Sequence, residues 1–232
     1  MDDFDFEIET LSLETAATAS TGLEAFYGDR LGLGTAVRAD GTVEVAVGDA
    51  TLVLRPAGDR PYHHFALLVP GDRLEAAREW VTAATELLAG ERGPLFEFGS
   101  WSARALYFTD PAGNIVELVS HRGIGESGRG GPFSAAELRG ISEAGLVVAD
   151  PAAAARVLDD AGIPVWDGDP DAGIAFAGRQ GHTLVLSSAD RNWMPTSRRS
   201  IPFRTETIVR AGGRLMIVSG DRCGRLEVTG AN

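Results

Sequence analysis

The chain has 232 residues, with 33 acidic against 21 basic side chains and a formal net charge of −12. That length holds one large domain or two small ones, and the acidic balance argues against nucleic acid or an anionic membrane as partner, since both reward clustered basic residues. No apolar run approaches the roughly 20 residues a bilayer span needs, and the acidic opening Met-Asp-Asp-Phe-Asp-Phe-Glu reads as no secretory signal, so a cytoplasmic location is expected.

There is no lysine, so every basic residue is arginine. Many acids and few amines suit a salt-rich cytoplasm, where ions screen surface repulsion, and a halophilic habitat is expected. The single cysteine, Cys223, excludes an internal disulfide and a Cys-rich zinc site.

Three stretches begin alike: Ile8–Leu13, Tyr62–Leu67 and Ser142–Leu146 each read as a short strand followed by a helix. The first helix is expected to be capped by Ser20 or Thr21, to bury Leu23, Phe26, Tyr27 and Leu31, and to stop at Gly32. Strands over 34–38, 42–47 and 50–55 follow. The second helix carries Leu74, Ala77, Val81, Ala84 and Leu88 at spacings of three and four, and is followed by strands over 95–100, 104–108 and 114–120. The third has Asp150 as cap, Pro151 at its first position, Val157 and Leu158 on its buried side and Gly162 as stop. Its strands span 164–166, 173–177 and 182–187. Each unit is thus strand-helix-strand-strand-strand. One such sheet is too small to cover its own face, so two must pair around a shared core. Two further strands, 204–210 and 214–218, close the chain.

The segment Tyr107–Val119 carries the most information. Asp110-Pro-Ala-Gly-Asn114 has turn chemistry, because Pro fixes φ and Gly or Asn accepts a positive one. The strand after it holds one acid, Glu117, between Val116 and Leu118. A carboxylate buried there needs a metal, a base or a donor; an arginine such as Arg104 is the ordinary structural answer. His63 and His64 are adjacent, so strand alternation turns only one of them into a cavity.

Taken in order, Leu23-Glu-Ala-Phe-Tyr27, Leu31-Gly-Leu33, His64-Phe-Ala66 and Asp110-Pro-Ala-Gly-Asn-Ile-Val-Glu117 resemble the vicinal oxygen chelate superfamily. That group covers glyoxalase I, bleomycin-resistance proteins and extradiol dioxygenases. The resemblance spans residues 7–121. It implies an α+β fold in which paired βαβββ modules form a curved mixed sheet. Residues 1–122 would be the vicinal oxygen chelate domain, with modules 7–57 and 62–121. Residues 123–133 would be a linker, and 134–232 a divergent third module with C-terminal strands.

Carried over by position, the family's ligand frame falls on Thr10, Val53, His64 and Glu117. Only the last two are good ligands, and a mononuclear site usually takes three protein side chains. Glu143 occupies the frame of His64 in the third unit and is the leading third ligand; His63, His121 and His182 are the others. The expectation is a divalent ion (Fe, Mn, Zn or Ni) on His64, Glu117 and Glu143, chelating vicinal oxygens of a small molecule in a dioxygenase or a lyase/isomerase. Two alternatives stand beside it: metal-free acid–base work by His64 and Glu117, and simple sequestration of a small molecule, as in bleomycin-resistance proteins. Thr10, Trp101 and Tyr107 are expected to shape the pocket, whereas Trp80, Trp166 and Trp193 read as core or lid packing. The family pattern also suggests a homodimer.

Overall fold

The computed structural model describes residues 5–16, 19–58, 60–189, 191–220 and 224–231; Cys223 lies outside them. The first unit runs β1 (Phe6–Ala16), α1 (Ser20–Glu24), a π-helical turn (Ala25–Arg30), β2 (Thr35–Val37), β3 (Val43–Val47) and β4 (Ala50–Ala57). Leu23, Phe26, Tyr27 and Leu31 are buried as their spacing requires, and Gly32 ends the helix at φ +74°. The expected cap is absent. Ala19 holds the N-cap position, because the Ser20 hydroxyl instead donates to the Gly41 carbonyl at 2.7 Å and ties the helix to the β2–β3 hairpin.

The second unit comprises β5 (His64–Val69), α2 (Leu74–Thr82), β6 (Leu87–Leu88), β7 (Phe96–Phe98), β8 (Ala103–Thr109) and β9 (Ile115–His121). Its helix stops before Ala84 and Leu88, which the periodicity had placed on it. Leu88 pairs with Tyr107 at the edge of β8 instead; strand pairing there outweighs helical spacing. The third unit comprises β10 (Gly140–Val148), α3 (Pro151–Asp160), β11 (Val165–Asp169), β12 (Ile174–Arg179) and β13 (His182–Ser188). Asp150 caps α3 by accepting from the Ala153 amide at 2.9 Å. The buried side of α3 is Ala154, Ala155 and Leu158, while Val157 faces solvent. After it come β14 (Thr205–Ala211), β15 (Arg214–Ser219) and β16 (Glu227–Gly230); the last of these was not anticipated.

All 16 strands belong to one mixed sheet. In each unit the first strand runs parallel to the last in the same frame: Ser12 opposes Val53, Ala66 opposes Glu117, and Gly145 opposes Val185. Between units the pairing departs from the expected union of modules 7–57 and 62–121. β1 is taken along its antiparallel edge by β14 over seven register pairs, leaving one pair, Ile8–Ile141, with β10. β5 therefore pairs with β10, which joins the second unit to the third. The expected linker 123–133 is held down from one side: Arg73 donates to the carbonyls of Arg129, Gly131 and Pro132 and pairs with Glu137 at 2.9 Å. Among the described residues no helix is long and apolar enough to cross a membrane.

Two histidines are stored neutral in this framework. His63 touches the Glu14 carbonyl and the Thr205 hydroxyl, and burial lowers its pKa from 6.5 to about 4. His182 falls to about 4 as well, first through burial and then through Arg179. A histidine depressed in the folded state leaves the unfolded chain binding more protons between those values. Its contribution is complete above pH 6.5 and disappears as pH falls towards 4, about 1.4 kcal/mol per pH unit for each such group. Urea unfolding of wild type and His182→Gln at pH 7 and pH 4.5 checks this. The wild type should lose stability on acidification by roughly 2–3 kcal/mol more than the variant; equal losses would refute the assignment.

Candidate functional site

The Asp-Pro-Ala-Gly-Asn turn sets the site's first side chain. Asp110 accepts from the amides of Ala112 and Asn114, both at 2.9 Å, and Gly113 takes φ +87°. The Asn114 side chain then accepts from the His63 amide at 2.9 Å, and the Ile115 amide donates to the His63 carbonyl at 2.8 Å. These bonds fix where β5 begins, with His64 as its first residue.

The His64 Nδ1 lies 3.2 Å from the Ile115 carbonyl. A carbonyl only accepts, so Nδ1 carries the proton and, in the neutral ring, Nε2 presents its lone pair. That Nε2 is 3.6 Å from Glu117 Oε2 and 3.6 Å from Glu143 Oε2. Ligand atoms of the three residues lie within 4.8 Å of one another, and all three side chains are buried. β5, β9 and β10 contribute one each, and the β5–β10 pairing is what brings the third in.

Burial pushes the Glu117 carboxyl well above the usual carboxylate range; the neighbouring Glu143 charge adds to this, and a hydrogen bond from Tyr107 opposes it. Tyr107 sits directly across from Glu117 on β8. Burial, and then the charges of Glu117 and Glu143, hold its hydroxyl protonated far above its ordinary range. Tyr107 therefore keeps its proton and can donate it to Glu117. Arg104 is not the partner of Glu117: its side chain is exposed, and among the described residues no guanidinium lies within 4.0 Å of that carboxylate.

Above these three side chains opens a cavity of about 200 Å³. Phe98, Trp101, Tyr107, Phe176 and Trp193 form its walls, and Arg191, Asn192 and Met194 stand at its exposed rim. Trp193 lies over His64 with ring centroids 5.1 Å apart. Gly145 makes room for it, because a Cβ there would meet the His64 carbonyl at 2.7 Å and the indole at 3.0 Å. Trp101 donates to Asp167 and packs edge-on against Phe176 at 4.6 Å, bridging the second and third units.

The remaining expected site residues go elsewhere. His121 shares the face of Glu117 along β9, but its Nδ1 accepts from the Gln180 amide at 3.1 Å and it does not join the group. His63 and His182 lie outside the cavity lining. Thr10 is in a different cavity, of about 460 Å³, with Val53, Glu206 and Met216. The strand register explains its position. The β1–β14 ladder slips between Ile8 and Thr10 as the β10–β5 ladder slips between Ile141 and Glu143. Thr10 then corresponds to Glu143, Val53 to Val185, Glu206 to His64, and Met216, opposite Ile208, to Glu117 opposite Ala66. The second cavity keeps the frame with one acid on it, Glu206, which is neutralised by Arg55 at 2.7 Å and Arg204 at 2.6 Å.

Several lining residues escaped the sequence reading. Ile174 and Phe176 alternate on one strand, which marks a shared face. Arg191, Asn192 and Met194 sit on an irregular segment with no periodic signal, and Trp193, read as packing, also roofs the site.

No family model and no curated protein sequence matches the chain. Solved structures do. A putative dioxygenase from Bacillus subtilis subsp. subtilis str. 168 superposes with TM-score 0.55 at 17% identity over 78% of this chain; the chain spans 63% of that structure's length. Glyoxalase I from Zea mays superposes with TM-score 0.54 at 14% identity, covering 97% of this chain and 92% of the maize protein. The chain has a glyoxalase-like fold.

Proposed function

We propose that this protein is a small-molecule enzyme that holds a divalent metal ion on His64, Glu117 and Glu143. The observation that carries the reading is the orientation of His64. Its Nδ1–H is committed to a backbone carbonyl, so the Nε2 lone pair faces two carboxylate oxygens at 3.6 Å. With Glu117 ionised and no cation present, three electron-rich atoms would confront one another in a buried site, which is unfavourable, and the raised Glu117 pKa reflects that cost. A divalent ion reverses the sign of all three contacts, and one imidazole with two carboxylates is a donor set for Fe, Mn, Zn or Ni. The Ile115 carbonyl is the outer partner that fixes the tautomer of a ligating histidine.

When bound, such an ion supplies Lewis acidity to oxygens of the substrate. The chain's own residues do the rest. The fourth position of the frame is filled by Val185, which offers no ligand atom and leaves that side of the group to the cavity. Trp193, Tyr107 and Phe176 exclude water and offer flat faces to a small molecule. The neutral Tyr107 hydroxyl can donate to an oxygen that gains charge beside Glu117. Metal-free acid–base work by His64 and Glu117 is the second reading; the raised Glu117 pKa favours it, since a carboxyl that keeps its proton above the ordinary range suits proton transfer.

Metal affinity separates the two. Competition titration with a metallochromic chelator should show His64→Ala, Glu117→Gln and Glu143→Gln each weakening Zn²⁺ or Mn²⁺ binding by about a hundredfold, while Thr10→Ala leaves it unchanged. Binding that survives all three substitutions would eliminate the metal reading.

Because Glu117 holds its proton above the ordinary carboxylate range, metal must displace that proton. Affinity should therefore rise with pH through the region where Glu117 titrates in the free protein. Calorimetry in two buffers of different ionisation heat should report proton release on binding, and Glu117→Gln should reduce it. A pH-independent affinity would contradict the assignment.

A further inference from the structure

The cavity has an axis. At its floor are the three buried ligands, along its sides aromatic rings, and at its rim the exposed Arg191, Asn192 and Met194. Its volume of about 200 Å³ is small for a ligand site, since drug-sized pockets run from about 300 to 1,000 Å³. An engineered apolar cavity of about 150 Å³ accepts benzene. The space above His64 thus suits one ring with short substituents, and a peptide conjugate would have to lie mostly outside it. Phe98, Trp101, Phe176 and Trp193 converge on that space and favour a flat, apolar body.

The rim supplies a charge. Arg191 is the one arginine lining the cavity, and its Nη1 makes only a long contact, 3.4 Å, with the Ala172 carbonyl. Among the described residues no carboxylate lies within 4.0 Å of it, in a chain with 33 acids. The arginines of the second cavity differ: Arg38 is bonded to Glu44 and Arg55 to Glu206. The backbone on either side of Arg191 is held. Its amide donates to the Ser188 carbonyl at 3.2 Å, and its carbonyl accepts from Ser200, whose amide is at 2.8 Å and hydroxyl at 3.0 Å. The guanidinium is thereby anchored at its root and open at its tip, with the Asn192 amide beside it. The floor offers an anionic group two acidic side chains and no arginine, whereas the rim offers Arg191, so an acidic ligand is oriented with its charge outward.

We propose that Arg191, with Asn192, is a specificity determinant that anchors the carboxylate of a single-ring organic acid whose opposite end points at His64, Glu117 and Glu143. This deepens the function proposed above by naming the ligand class. A guanidinium offers a planar fork of donors that matches a carboxylate, and such charge-assisted contacts exceed neutral ones in strength.

The test uses chelator-treated protein, so that its outcome does not depend on whether the site takes a metal. Quenching of tryptophan fluorescence, to which Trp101 and Trp193 in the walls contribute, is titrated with benzoate, with benzyl alcohol and with glutathione. In wild type, benzoate should bind about tenfold more tightly than the neutral alcohol, since a hydrogen-bonded charge contact is worth roughly that factor. Glutathione should not compete. In Arg191→Gln the benzoate preference should vanish while benzyl alcohol affinity stays the same; Arg191→Lys should keep part of the preference. The side chain is exposed, so both variants should fold. Equal affinities for the two ring compounds in wild type, a preference that survives in Arg191→Gln, or saturation by neither compound would each overturn the proposal. A failure of the metal titration with a retained benzoate preference would instead sink only the metal reading.

Discussion

Two carboxylates and an imidazole lone pair, all withdrawn from water, form the constraint around which this structure is organised. Were Glu117 and Glu143 both ionised at this spacing, the two like charges would repel by about 3–4 kcal/mol at an effective dielectric near 20, which is part of why Glu117 holds its proton. Among the described residues no arginine approaches, and His64 is turned with its Nδ1 on a backbone carbonyl, so relief comes from Glu117 keeping its proton above the ordinary range and from the Tyr107 hydroxyl that donates to it. The apolar walls make the matter worse by removing solvent. A framework that maintains such a cluster must be rigid enough to prevent its relaxation. Strand pairing supplies that rigidity: the three side chains sit on three adjacent strands whose backbones are hydrogen-bonded to one another.

Rigidity at His64 comes from an unusual number of partners for one strand start. Asn114 receives the preceding amide, Asp110 holds Asn114, and Tyr27 donates to Asp110 at 3.0 Å. A chain of contacts therefore runs from the first unit's helical turn through the Asp-Pro turn to the ligand. From the other side, Trp193 presses on the imidazole through the gap left at Gly145. The protein surrounds one ring with contributions from all three repeated units.

Much of the fold was legible because repeat and periodicity act locally. The strand frames around Val53, Glu117 and Val185 follow from alternation alone, and so does the correspondence of Glu143 with His64. Legibility stopped where a choice of partners mattered. Each first strand of a unit offers one antiparallel edge, and composition does not say which neighbour takes it. The strand 205–211 occupies the edge of β1, which sends β5 to β10 and Thr10 away from the ligands. Local helical pattern failed for the same kind of reason at Leu88, where an edge ladder captured residues that spacing assigned to α2. The rim residues 191–194 were invisible because an irregular segment leaves no periodic trace.

The cavity around Thr10 has a consequence for the duplicated architecture. Its floor carries a hydroxyl, a thioether, an aliphatic side chain and one acid already claimed by two guanidiniums. A cavity whose one frame acid is already neutralised is released from the demands of chemistry, and β14–β16, which complete it, are joined by no helix among the described residues. The lining of the Thr10 cavity is thus free to drift in sequence as long as it remains a scaffold, so tolerance to substitution should differ between the two cavities.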